Sequence, residues 1–173
     1  MQFLVLGALI GVVAGGHFSE WLRRRGRIDA RILVPAVALF LSVPFLGGGI
    51  WTANPWLGTA LMTLGAAMLA AAIAPIDAAR LDIIHPRMWG RGESGRMALR
   101  LAFEGSAPLL FGAMSGWLGG GEKGLMLTFL LMLTPMLMAS LVAVPARRTY
   151  PRGVATAAAS VEATAGAPRP RLG

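Results

Sequence analysis

The positive charges of this chain are gathered at three places along the sequence, and long apolar segments separate them. Lys123 is the only basic residue outside the three groups. The groups are Arg23, Arg24, Arg25, Arg27 and Arg31; Arg80, Arg87, Arg91, Arg96 and Arg100; and Arg147, Arg148, Arg152, Arg169 and Arg171. Cationic loops stay on the cytoplasmic side of a bilayer, so a pattern in which every second connection is basic fixes the number and direction of the crossings. The pattern predicts a multi-pass membrane protein.

Composition agrees with a membrane location and disfavours other classes. The chain is 55% hydrophobic and only 14% charged, whereas soluble domains carry roughly 25% charged residues. The net charge of +8 could indicate nucleic-acid binding, but the arginines stand at the ends of apolar segments without interleaved aromatics. The chain has no cysteine and two histidines, so no metal or other cofactor is expected. The predicted partner is the lipid bilayer, not nucleic acid.

Five segments are long enough to be transmembrane helices, because about 20 mainly apolar residues cross roughly 30 Å of hydrocarbon. They cover residues 3–21, 32–51, 56–76, 97–118 and 125–145. With the basic groups inside, the N-terminus lies outside and the C-terminus lies in the cytoplasm. We expect an all-α transmembrane bundle over residues 1–148 in the plasma (inner) membrane of a bacterium. Residues 149–173 contain few large apolar side chains and predict a disordered cytoplasmic tail.

Small residues within the spans predict close helix packing. Glycines four residues apart form one flat stripe on a helix, where a second helix backbone can approach. Such glycines are Gly7, Gly11 and Gly15 in the first span and Gly112 and Gly116 in the fourth. Prolines in or at the ends of four spans predict bent helices. Bent helices rich in small residues favour a transporter or channel over an inert anchor.

One carboxylate lies clearly inside an apolar segment. Burying a charge in a bilayer is costly, so Glu104 in the fourth span is a candidate functional residue. Together with Ser106 it could face a substrate cavity or carry a proton. The alternative is that Glu104 lies near the interface and pairs with Arg100, one turn earlier. Both interpretations remain open from the sequence.

The inner end of the first span resembles a known loop signature. Residues 15–27 read GGHFSEWLRRRGR. In the major facilitator superfamily, a glycine, an acid four residues later and a basic run connect the second and third helices of each half. The residues that match are Gly16 and Glu20, followed by the basic run Arg23, Arg24, Arg25, Gly26 and Arg27. The family usually has Asp in place of Glu, and here two extra residues precede the arginines. Such departures are more usual in the second copy, between helices eight and nine.

Further segments extend the resemblance in the same order. Residues 74–93 look like the loop between helices ten and eleven, and residues 108–112 (PLLFG) are similar to part of helix eleven of bacterial members. Residues 146–151 resemble the segment after helix twelve. The resemblance therefore covers residues 1 to about 155 and implies a partial bundle of this family, helices eight to twelve.

The resemblance implies a function and a set of partners. Members move a small-molecule substrate by rocking two six-helix halves about a central site. The N-terminal half and helix seven would then be missing, and the uncharged, exported start is expected to follow a lost upstream portion. In the family, the acid of the loop signature docks at the inner start of helix eleven as a latch. For this chain the resemblance implies that Glu20 is latched by Arg96 and Arg100.

Two functions from other classes remain possible from the sequence. A small membrane enzyme of lipid metabolism would need clustered carboxylates for a metal, and the acids of residues 77–93 have no recognised metal-binding spacing. A non-catalytic assembly subunit would suit the packing glycines and the sparse chemistry. Transport remains the leading prediction, and covalent catalysis is not expected.

Overall fold

The structure is a computed structural model that describes residues 2–165, almost all of which are helical. The helices are α1 (Gln2–Arg24), α2 (Ala30–Trp51), α3 (Pro55–Ala71), α4 (Ile73–Asp82), α5 (Trp89–Trp117) and α6 (Gly121–Ala165), with a single 3-10 turn at Pro86–Met88. No β-strand occurs among these residues. The all-α fold predicted from the sequence is confirmed.

Four segments are long and apolar enough to cross a bilayer. They are Leu4–Arg24, Ala30–Trp51, Pro55–Asp82 and Gly121–Ala163. Length and composition thus define a multi-pass membrane protein. Helix α5, which contains the predicted span 97–118, is less apolar than these four, since Arg91, Glu93, Arg96, Arg100 and Glu104 all lie on it.

The third span consists of two helices with a break at Ala72. Proline has no N–H and its ring collides with the carbonyl four residues earlier, so Pro75 prevents a regular helix from continuing through Ala71. Helix α3 ends at Ala71, and α4 begins at Ile73 with Pro75 in its first turn. At the other end of α3, the Asn54 side chain accepts hydrogen bonds from the backbone N–H groups of Trp56 and Leu57. Pro55 occupies the first helical position, which suits proline because the N–H there needs no helical partner.

Helices α1 and α3 run parallel and touch backbone to backbone. The facing pairs are Gly7 with Thr63, Gly11 with Ala67, and Gly15 with Ala71. All three pairs have the same offset in sequence, so the two helices stay in register over their shared length. A Cβ at Gly11 or Gly15 would collide with the carbonyl oxygen of the facing alanine. Only glycine permits this approach.

Helix α2 lies between α3 and α6 and runs antiparallel to both. Gly49 packs on Gly58 and Met62 of α3, while Gly47 lies against Leu130 and Leu133 of α6. The side chains fully buried between the helices are small, and their hydroxyls are satisfied within their own helix. Ser42 donates to the carbonyl of Leu39, and Thr128 donates to that of Gly124. Small side chains and satisfied hydroxyls are what close helix packing in a membrane requires.

Helix α5 lies apart from this bundle over most of its length. Ser115, which contacts Gly124 of α6, is its buried residue. A Cβ added at Gly112 or Gly116 would meet no atom within 4 Å among the described residues. Leu109 is 77% exposed and lies on the same helix. Gly112 and Gly116 of α5 therefore face open space among the described residues, unlike Gly7, Gly11 and Gly15 of α1.

Helix α6 continues through residues 149–165, which corrects the prediction of a disordered tail for that stretch. Tyr150 is only 7% exposed, and Gly153 lies beside Ile83. The stretch after Gly153 is rich in alanine, the residue with the highest helix propensity. The prediction of disorder was based on the lack of large apolar residues in this stretch. It was wrong for 149–165 because α6 already exists before Thr149, and one buried tyrosine together with the helix propensity of alanine extends it. The rest of the predicted tail, 166–173, lies outside the described residues.

The α1–α3 contact predicts opposite outcomes for two Gly→Ala substitutions. Gly11→Ala should lower the free energy of unfolding by about 1–3 kcal/mol, because the added methyl overpacks the contact with Ala67. Gly112→Ala should leave stability unchanged or raise it by up to ~1 kcal/mol, because alanine is the better helix former and nothing obstructs its Cβ. Denaturant titration of the purified protein in detergent, followed by circular dichroism, measures both. Equal destabilisation by the two variants would contradict this packing.

Candidate functional site: an ion-pair chain at the arginine-rich side

Side chains from four helices meet where the arginine-bearing ends of the helices come together, here called the arginine-rich side. The guanidinium of Arg31 on α2 lies 3.5 Å from Glu20 Oε2 on α1. It also forms an ion pair with Asp82 on α4, and the hydroxyl of Tyr150 on α6 donates a hydrogen bond to the same Asp82 oxygen. We call Glu20, Arg31, Asp82 and Tyr150 the ion-pair chain. It is a continuous polar connection from α1 to α6.

The ion-pair chain is partly shielded from solvent. The Arg31 side chain is 17% exposed and that of Asp82 is 30% exposed. Charge-assisted hydrogen bonds in such places are stronger than neutral ones. They can still be broken at modest cost, because water reaches both carboxylates. The arrangement suits a contact that opens and closes.

Glu20 is also held from its own helix. Arg23 donates two parallel hydrogen bonds to its carboxylate, with Nε–Oε2 at 2.9 Å and NH2–Oε1 at 2.8 Å. Arg24 Nε lies 3.4 Å from Oε1. The two-pronged contact of Arg23 fixes the plane of the carboxylate, so that Oε2 is directed toward Arg31.

The remaining residues of the loop signature make other local contacts at the end of α1 and in the turn that follows. Gly16 accepts a hydrogen bond at its carbonyl oxygen from the Ser19 hydroxyl. The Arg25 guanidinium stacks 3.8 Å from the centre of the Trp21 ring. Gly26 has a φ of 87°, a left-handed conformation that costs glycine nothing and turns the chain from α1 into α2. Arg27 follows this turn and is exposed.

The expected latch pairs, Glu20 with Arg96 and Arg100, are not formed in this structure. Arg96 instead contacts Glu93, with NH2–Oε1 at 2.5 Å. Arg100 pairs with Glu104 on its own helix, Nε–Oε1 at 2.6 Å. Arg96 is held by Glu93 and Asp77 near α4, and Arg100 is held by Glu104 on α5 itself, whereas the end of α1 that carries Glu20 lies within reach of Arg31 on α2. Glu20 therefore meets Arg31.

A second cluster of charges connects α4 with α5. Arg80 of α4 lies 2.6 Å from Glu93 Oε2. Asp77 completes the cluster, 3.9 Å from a guanidinium nitrogen of both Arg80 and Arg96. Hydrogen bonds from Arg96, and then from Arg80, lower the pKa of Glu93 from 4.5 to about 2. The Nε atom of Arg80 is buried and has no hydrogen-bond partner in the described part of the chain.

The two candidate substrate or proton residues lie on α5, away from the ion-pair chain. Glu104 is exposed and engaged by Arg100, and the Ser106 hydroxyl donates to the carbonyl of Phe103 at 3.1 Å. Of the two interpretations of Glu104 left open by the sequence, this geometry matches the pairing with Arg100. No other helix shares that ion pair among the described residues.

Tyr150 is one of three members of the ion-pair chain, with Arg31 and Asp82, that the sequence did not single out as site residues. It stands in the stretch predicted to be disordered, and it lines a cleft of about 690 Å³ between the arginine-rich ends of α2, α4 and α6. Ile32, Ile83 and His85 line the same cleft. The available signal was that Tyr150 is the single tyrosine of the chain and directly follows an arginine pair and a threonine. Arg31 belongs to the first arginine group and Asp82 to the acids of residues 77–93, but their spacing in the sequence does not indicate that they are partners.

No residue group suited to a metal occurs in the part of the chain that the structure describes: no three or more His, Cys, Asp or Glu side chains come together. A scan against protein-family models gives no match to the chain, and a search of curated proteins finds no relative of similar sequence. The site must therefore be interpreted from its own chemistry.

The depressed pKa of Glu93 predicts how the α4–α5 contact responds to acid. A carboxylate whose pKa is lowered by folding contributes stability that is fully present above its ordinary pKa and is lost as the pH falls through the lowered value. The contact should therefore persist at pH 4.5 and disappear near pH 2. Because the chain has no cysteine, spin labels can be attached to Leu81→Cys and Ser94→Cys and their separation measured. At neutral pH, Glu93→Gln should give the distribution of label-to-label distances that the unaltered protein shows in acid. Glu104→Gln should keep the neutral-pH distances of the unaltered protein. An unchanged distance in Glu93→Gln would contradict the assignment.

Proposed function

We propose that the chain is the membrane-embedded helical part of a secondary transporter, which moves a small molecule by alternating access together with further helices. The observation that carries this proposal is the ion-pair chain. It joins four helices at the arginine-rich side, while the turns at the opposite side, Thr52–Asn54 and Gly119–Gly120, contribute no ion pair between helices within residues 2–165. In an alternating-access cycle, each end state is closed at one side of the membrane and open at the other. Polar contacts between helices at one end only are consistent with such a state.

The contacts of the ion-pair chain are suited to a gate. A gate must be stable enough to close and weak enough to open, so its contacts should be worth a few kcal/mol in total. Hydrogen bonds to charged groups contribute about 1.5–3 kcal/mol each. Arg31 makes contacts to two acids on different helices, so a small movement of α1 or α4 would break one contact without leaving the guanidinium unpaired.

The helices between the ends have features that permit such movement. Pro35 and Pro44 lie inside α2, and Pro108 and Pro135 lie inside α5 and α6. Proline within a helix removes a hydrogen bond and bends the axis. Smooth interfaces of glycine and alanine, as between α1 and α3, present no large side chains to obstruct a shift along the helix axis.

Helix α5 supports the further proposal that the bundle is completed by other helices. It is the least apolar long helix, its glycine face is open, and it carries the Arg100–Glu104 pair. A charged pair on a lipid-facing helix is costly, and intramembrane charges usually face a protein interior or a water-filled cavity. In this proposal α5 lines the substrate path, with Glu104 and Ser106 available to a substrate or a proton.

The orientation belongs to the same proposal. Arginine-rich ends stay in the cytoplasm, which makes the ion-pair chain the cytoplasmic gate of a transporter in the inner membrane. The resemblance to the major facilitator superfamily supports this arrangement, because its loop signature provides Glu20 and the arginines around it.

Breaking the ion-pair chain should open the arginine-rich side. Ser19 is 4% exposed and lies next to Glu20, so a thiol introduced by Ser19→Cys reports opening through its reaction with a membrane-impermeant maleimide. Arg31→Gln should raise the reaction rate about tenfold, the effect of losing about 1.5 kcal/mol of charge-assisted contact. The matched control is Arg91→Gln, which removes an exposed arginine that makes no ion pair within the described residues and lies outside the ion-pair chain. Equal rates of maleimide reaction in the two variants would contradict the proposal that the ion-pair chain is a gate.

The same thiol tests transport. In vesicles that hold the chain with its completing helices, a transported compound should change the reaction rate of the thiol at position 19, because alternating access links the gate to the substrate. A panel of drugs and metabolites, together with a proton-sensitive dye, gives the substrate and the coupling ion. A gate that responds to no compound, with no dye response, would argue against transport.

A non-catalytic assembly subunit is the second candidate, and the open face of α5 favours it. A helix with exposed glycines and large apolar neighbours such as Leu109 and Trp117 is suited to dock against a partner. Three results together would support this function over transport. The chain would co-purify with a defined partner, the complex would transport nothing, and Arg31→Gln would leave the thiol at position 19 unreactive in that complex.

A further inference from the structure

A second polar feature of the arginine-rich side does not belong to the ion-pair chain. The turn between α1 and α2 and the helix α6 enclose a cleft of about 500 Å³, lined by Arg27, Arg147 and Arg148. None of these three arginines forms an ion pair among the described residues, whereas Arg23, Arg24 and Arg31 all do. Three cations thus converge without an assigned anion.

One acidic residue also lines the cleft, but its single negative charge does not neutralise the three arginines. Asp29 contributes one negative charge against the three arginines, which leaves a net charge of +2 (3 − 1). Guanidinium groups are planar forks that bind phosphate oxygens through two parallel hydrogen bonds. The cleft therefore has the chemistry of a phosphate-binding site.

The cleft lies at the polar edge of the apolar helices. Arg147 lies two residues after Pro145, where the apolar part of α6 ends, and Arg27 lies three residues before Ala30, the first residue of α2. One and two turns before Arg148, on the same face of α6, Val144 is 43% exposed and Leu141 is 52% exposed. Ile28, which lines the cleft itself, is 52% exposed. An apolar track thus leads away from the arginines along the helix.

We propose that this cleft binds an anionic phospholipid, with its phosphate held by Arg27, Arg147 and Arg148 and an acyl chain lying along Val144 and Leu141. The juxtaposition of phosphate-binding forks with exposed apolar side chains fits a lipid better than a nucleic acid or a soluble anion, since neither of those has a use for the apolar track. The bound lipid would join the α1–α2 turn to α6. This inference does not depend on the proposed transport function.

Native mass spectrometry of the purified chain in detergent tests the proposal with phosphatidylglycerol as the probe and phosphatidylcholine as the neutral lipid. Phosphatidylglycerol should remain bound and phosphatidylcholine should not. Arg147→Gln should weaken phosphatidylglycerol binding about fivefold, the order expected for one basic residue at an anionic surface. Arg147→Gln with Arg148→Gln should weaken it further, and Arg147→Lys should retain part of it.

The matched control is Arg91→Gln, which removes the same charge from an exposed residue of α5 that forms no ion pair in the described part of the chain. It should bind phosphatidylglycerol as the unaltered chain does. A thermal melt of the unaltered chain should show stabilisation by phosphatidylglycerol over phosphatidylcholine, which keeps the test valid if an arginine variant folds poorly.

Three outcomes would overturn the proposal. Equal loss of binding in Arg91→Gln and Arg147→Gln would mean that net charge alone attracts the lipid. Unchanged binding in the double variant would place the lipid elsewhere. Displacement of the lipid by inorganic phosphate would assign the cleft to a soluble anion.

Discussion

The backbone contact between α1 and α3 is the constraint on which the rest of the structure depends. Gly11 and Gly15 let the two helices touch without intervening side chains, and dispersion forces between closely packed atoms are the main source of helix association in a bilayer. A parallel contact in constant register fixes how far the arginine-rich end of α1 extends beyond α3. It is this register that brings Glu20 to the level of Arg31 and Asp82.

Two kinds of contact divide the molecule. The helix bodies are joined by small side chains that pack closely and carry no charge, while the arginine-rich side is joined by partly exposed ion pairs. Apolar packing resists separation but permits a shift, and ion pairs at a surface can exchange partners with little loss. The proposed gate and the proposed lipid cleft both lie where charge is concentrated. They use different arginines, so that a lipid at Arg147 need not disturb the contact at Arg31.

Much of the fold followed from the sequence because it rests on local chemistry. The apolar segments predicted the helices, and the spacing of Gly7, Gly11 and Gly15 predicted a surface for close approach. The sequence failed where distant residues decide the outcome. The residues next to Tyr150 in the sequence do not indicate that Asp82 will lie beside it. Without that contact, a tail poor in large apolar residues was predicted to be disordered. The expected partner of Glu20 was also a residue of α5, whereas in the structure it belongs to α2.

The sequence by itself determined that the chain is helical and apolar, and that its charges lie at alternate connections. These properties depend only on residue type and short-range spacing. Within residues 2–165, tertiary structure alone decided which arginines form ion pairs between helices and which do not, since that depends on which helix ends become neighbours. It also decided that Gly7, Gly11 and Gly15 of α1 are covered while Gly112 and Gly116 of α5 are open among the described residues, because identical spacing gives a contact only where a second helix lies against it.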